Sequence, residues 1–129
     1  MNHPILLAYN LHPEGPKSTK IKQLCVRLGI RFRLVEPGEY GRPLLSLLAP
    51  AAKGPEVRDP FEDEMLVFAN FTGEQLDLFL KSYREARLVP IALKAVLTPT
   101  NSNWTSIQLH QELTLEHAEM ERQMAARKG

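Results

Sequence analysis

Two segments of the chain end alike, and that shared ending constrains the fold more than any other feature. The apolar run over residues 65–71 breaks at Thr72 into a helix. A second apolar run, residues 91–97, passes through the polar turn 98–104 into another. Strand, polar turn and capped helix form the unit from which open α/β sheets place ligands beside helix N-termini. The pattern specifies a fold class and a place to look for a site, but no chemistry.

Two more strands precede these. Residues 5–11 are nearly continuously apolar, and Arg31, Phe32, Arg33, Leu34 and Val35 alternate as a half-exposed strand does. Between them Ile21, Leu24, Cys25 and Leu28 recur at helical spacing, and Gly29 follows as a helix C-terminus favours. Residues 42–49 predict a short helix. Residues 50–60, rich in proline and charge, predict a mobile loop. Thr72 and Gln75 form a capping box with Phe71 and Leu76 as its hydrophobic staple. Leu76, Phe79, Leu80 and Tyr83 then mark the buried stripe of that helix. Thr105 and Gln108, with Trp104 and Leu109, offer the same arrangement before a final helix over 106–127, roughly 33 Å long. Along it Leu109 and Leu113 are expected in the core, and Met120 and Met124 on an overhanging half. No internal repeat or low-complexity segment is apparent.

At 129 residues the chain fits one domain, 1–129, able to bury a core without staples. A formal net charge of +1, with basic and acidic residues scattered, gives no case for a nucleic-acid or membrane-surface partner. The single cysteine excludes an intrachain disulfide and a cysteine-rich zinc site. The first residues carry neither a basic signal region nor an apolar stretch long enough to span a bilayer, so a cytoplasmic protein is expected.

Four strands alternating with helices predict a three-layer α/β domain on a mainly parallel sheet with right-handed crossovers. Near-continuous apolar runs belong in central strands, and charge-interrupted ones at edges. Arg31 and Arg33 interrupt the second strand and Lys94 the fourth, which gives the order 2-1-3-4. A ferredoxin-like α+β arrangement is the competing fold.

In that sheet the ligand edge lies beyond the carboxyl ends of the strands. It would gather Asn10, Asn70, Thr98, Thr100, Asn101, Asn103 and Trp104, with His12, Thr72, Glu36 and Tyr40 nearby. These groups suit holding a small polar ligand better than moving protons, and the same residue types also cap helices and build turns. The acids of a phosphoacceptor domain are replaced by Asn10 and Asn70. Gly15-Pro16-Lys17-Ser18 lacks the first glycine of a phosphate-binding loop, and neither a dinucleotide fingerprint nor Cys-x-x-Cys occurs. His110 and His117 share a helix face with Glu121, without the tight spacing of a metal motif. Cys25 reads as a core residue. No catalytic residue, metal or cofactor is assigned.

Ala92-Leu93-Lys94-Ala95-Val96-Leu97-Thr98-Pro99-Thr100-Asn101, with Trp104-Thr105, resembles the signature of a small bacterial family known only as a domain of unknown function. Residues 22–29, Val35-Glu36-Pro37 and Asp63-Glu64-Met65-Leu66-Val67 extend the likeness. It implies that the strand-turn-helix ending is a family feature, and it brings no activity to carry over. The expectation is a binding or regulatory module, for a small polar ligand or a protein partner at the 98–104 loop. Homodimerisation through the long last helix is the alternative, with a small enzyme third.

Overall fold

Continuous apolar sequence produces the two central strands, β1 (Ile5–Tyr9) and β3 (Met65–Ala69), and every residue of both is buried. The computed structural model describes residues 3–49 and 57–128, so residues 50–56 of the expected mobile loop lie outside the described residues. The remaining elements are α1 (Pro16–Leu28), β2 (Arg31–Val35), 3-10 turns at Pro37–Glu39 and Leu44–Leu48, α2 (Gly73–Glu85), β4 (Leu93–Val96) and α3 (Ser106–Lys128). The short helix expected over 42–49 is thus a 3-10 turn.

The sheet has four strands in the order β2-β1-β3-β4. The strands interrupted by charge lie at its edges, and Lys94 on β4 is exposed there. β1 pairs with β2, and β3 with β4, in parallel, while the central β1–β3 pair is antiparallel. That one antiparallel pair corrects the expected ligand edge. The carboxyl ends of β1 and β2 point one way, and those of β3 and β4 the other.

Side chains alternate between two cores. Leu6, Ala8, Leu66 and Phe68 face α1 and α2, which supply Ile21, Leu24, Cys25, Phe79 and Tyr83. Ile5, Leu7, Tyr9, Met65, Val67 and Ala69 face the other side, covered by Tyr40, Leu44, Leu47 and Leu109. α1 ends at Gly29 in the left-handed conformation (φ 72°), its N–H on the Val26 carbonyl. α2 starts at Thr72, whose hydroxyl accepts the Gln75 N–H at 3.1 Å while the Gln75 side chain accepts the Thr72 N–H at 2.8 Å.

Because α1 and α2 cover the same face, the two crossovers share one hand, and the halves are related by a pseudo-twofold axis normal to the sheet. Leu7 pairs with Val67 at the centre of the antiparallel register, on that axis. On the covering layer the isolated bridge between Pro43 and Thr105 again joins equivalent positions, since Arg31 of β2 matches Leu93 of β4. The second-half helix and the Leu44 turn begin at matching places, and Leu47 and Leu109 are both buried. The chain is therefore built of two topologically equivalent βαβ units, with no sequence repeat to announce them.

Candidate functional site

Asn10 and Asn70 close their strands in the same unusual way. Each adopts a left-handed conformation (φ 60° and 62°), which asparagine tolerates better than most residues. The Asn10 amide donates to the Phe61 and Asp63 carbonyls at 2.9 and 2.8 Å, where the chain enters β3. The Asn70 amide reaches the His3 carbonyl at 3.4 Å, where the chain enters β1. The two asparagines thus tie opposite ends of the antiparallel pair and do not share a site.

At the Asn10 end, the mouth of the parallel pair β1–β2 forms a cleft of about 370 Å³ lined by Asn10, Leu11, Pro13, Glu36, Gly38 and Tyr40, among others. The Tyr40 hydroxyl donates to Asn10 Oδ1 at 2.9 Å, so both polar groups are held in place. Burial pushes the Tyr40 phenol up to about 12, against a smaller opposing effect of the Asn10 hydrogen bond. Beneath the cleft, Glu39 is buried between Arg33 and Arg42 and accepts the Glu36 N–H at 3.1 Å.

Thr98, Thr100, Asn101, Asn103 and Trp104 follow β4 at the Asn70 end. Asn101 occupies the position equivalent to Glu39 and has the same role. Its Oδ1 accepts the Thr98 N–H at 2.8 Å, its amide donates to the Val96 carbonyl at 3.0 Å, and it is 8% exposed. Trp104 is half-buried against the core, and its carbonyl accepts the Leu44 N–H. Thr98, Thr100 and Asn103 are exposed. The loop's central asparagine is committed to the turn.

At the root of α3 the expected cap is present, the Thr105 hydroxyl accepting the Gln108 N–H at 3.2 Å. Other contacts there follow no sequence spacing: Ser106 is buried with its hydroxyl 2.8 Å from that of Tyr9. The His110 ring stacks on Phe61 at 4.1 Å, Phe61 stacks on Tyr40 at 4.7 Å, and His110 Nε2 lies 2.9 Å from Asp63 Oδ2. The Ser106 hydroxyl thus bonds to Tyr9, and the His110 imidazole to Asp63. His117 pairs with Glu121 instead, so the two histidines serve different partners. Among the described residues, no group of three or more His, Cys, Asp or Glu side chains could hold a metal ion.

Beyond Leu113 the helix passes the amino end of β4, where Thr114 and His117 line a shallow cleft with Asp63, Glu64, Pro90 and Leu93, and then runs clear of the domain. Every residue from 114 to 127 is exposed, a length of about 21 Å. Leu115, Met120 and Met124 are its large apolar side chains, each more than half exposed. Among the described residues no helix is long and apolar enough to cross a membrane.

These features define a small α/β domain with a mixed sheet and a projecting terminal helix. Residues 64–120 match the model of a family described as Domain of unknown function (DUF3783). The match spans β3, α2, β4 and the first two-thirds of α3, the half of the chain that carries the projecting helix. Comparison with curated proteins and with solved structures gives no significant match.

Proposed function

We propose that the protein is a non-catalytic interaction module whose working surface is the projecting half of α3. The carrying observation is the run of exposure from residue 114 to 127 on a helix whose root is held by Ser106, Leu109 and His110. An unpacked helix of this length is marginal in water on its own. Here it continues from an anchored helix and is rich in good helix formers. The projection makes no contribution to either core, so its value lies outside the fold.

Ending the chain at Leu113 tests this. The interaction reading expects the shortened domain to unfold within a few degrees of the full chain. A drop of about 10 °C or more would assign the segment to the fold instead.

A second reading, a small polar ligand, is favoured by the cleft at the β1–β2 mouth, where Asn10 and Tyr40 are fixed by each other and Glu36 is exposed. Thr100 and Asn103 on the 98–104 loop would serve a ligand at the far edge. Shifts of backbone amides on titrating nucleotides, amino acids and phosphorylated metabolites would place a ligand at one edge or the other, and an unchanged spectrum would remove this reading.

A further inference from the structure

β4 is an outer strand of the sheet, paired on one side by β3 alone. The Leu97 N–H bonds to the Phe68 carbonyl, and the parallel register sets Phe68 beside Val96. In such a ladder alternate residues turn their backbone groups toward the neighbouring strand. Leu93, Ala95 and Leu97 therefore face β3, while Lys94 and Val96 face outward. The Val96 carbonyl accepts the Asn101 amide at 3.0 Å. Among the described residues, the Lys94 N–H, the Lys94 carbonyl and the Val96 N–H have no hydrogen-bond partner. The open stretch ends at Thr98, whose N–H is taken by Asn101.

Lys94 and Val96 lie on the same face of β4, where they line a groove of about 210 Å³ with Phe68, Leu76 and Leu80. Val96 is 42% exposed there, and Leu76 and Leu80 are half-buried. Among the described residues, the Lys94 ammonium has no carboxylate partner. The matching place on β2 is held by Phe32, and Lys22 of α1 covers it, with Nζ 5.7 Å from the ring centroid. One half of the domain thus covers this position from within, and the other leaves it open.

We infer that the β4 edge takes up an extended peptide segment as an additional strand, with an apolar side chain in the groove and a carboxylate beside Lys94. Free N–H and carbonyl groups at strand spacing recruit an extended backbone, and the sites for alternate side chains select its sequence. An antiparallel guest sets one residue opposite Val96 and the next but one opposite Lys94, so it reads apolar–x–acidic. A lysine in the middle of an exposed edge keeps two copies of that edge apart. Its unpaired charge favours a strand of opposite sign over a second copy. This surface lies apart from the projecting half of α3 and goes beyond the role proposed for it.

Amide spectra of the full chain test this during titration with an end-blocked synthetic peptide of threonines that carries valine and, two residues later, glutamate. Because three open backbone groups make a short ladder, the Kd is expected on the order of 1 mM. Saturable shifts are expected at Lys94, Ala95, Val96 and Leu80. Replacing the glutamate of the peptide by lysine is expected to weaken binding about threefold or more, and Lys94→Glu to restore binding of that lysine peptide. Lys94 is exposed, and unchanged circular dichroism confirms the fold of the variant. An unchanged spectrum at several times that concentration, shifts confined to other surfaces, or equal affinity for both peptides would overturn the inference. Concentration-dependent shifts at Lys94 and Val96 without peptide would assign the edge to a second copy and overturn it as well.

Discussion

Leu7 of β1 and Val67 of β3 face each other at the centre of the one antiparallel pair, and the two βαβ units turn about that contact. Both side chains are fully buried in the core beneath α3 and the Leu44 turn. The join between the halves therefore depends on apolar packing as well as on strand hydrogen bonds. Leu7→Ala removes three buried carbons at the junction and is expected to cost about 2–5 kcal/mol, read as a lower urea midpoint with an unchanged slope.

Glu39 and Asn101 hold equivalent turns with different chemistry, so their replacements separate charge from cap. Asn101→Ala loses two hydrogen bonds made by its side chain and is expected to destabilise the fold by roughly 1–2 kcal/mol. Glu39→Ala leaves Arg33 facing a largely buried site without its carboxylate, and a larger loss of roughly 2–4 kcal/mol is expected. Denaturant unfolding of the two variants measures both. Equal losses would contradict the role given to the arginines.

The phenols give the fold an alkaline limit. Burial raises Tyr40 and Tyr83 to about 12 and Tyr9 further still, from an ordinary value of 10, and these are the three tyrosines of the chain. The folded state therefore keeps protons that the unfolded state releases. Stability from this source is complete below pH 10 and falls as pH rises from 10 toward about 12. Absorbance of the native chain at pH 10 is expected to show little phenolate, where the urea-unfolded chain is about half ionised.

Cys25 supplies an independent check on the α1 face. Burial alone pushes its thiol up to about 12. The native protein is expected to resist a thiol reagent at mildly alkaline pH, and one thiol per chain to react once it is unfolded. Rapid reaction of the native chain would mean that α1 opens from the sheet.

Strand order was legible because burial writes it directly. Ile5 to Tyr9 and Met65 to Ala69 are unbroken, while Arg31, Arg33 and Lys94 mark edges. Strand direction was not legible, since alternation carries no arrow. The connection from Glu36 to Glu64 leaves and returns at one end of the sheet, and its Leu44–Leu48 turn is too short for a crossover helix. The pseudo-twofold was hidden because its matching positions drift from sixty residues apart in β1 and β3 to sixty-two in β2 and β4. Asn10 and Asn70 were visible as polar ends of apolar runs, and they serve the turns that end their strands. The pairing of Asp63 with His110, 47 residues apart, follows no local spacing.

The projecting half of α3 carries the account, and one measurement reaches it directly. Amide spectra of the full chain recorded from tens of micromolar to about 1 mM, the range that suits a weak interface, report every residue at once. The expected result is helical shifts over 114–127 at all concentrations. Coil shifts over 114–127, or concentration-dependent changes confined to the cleft around Asn10 and Tyr40, would contradict it.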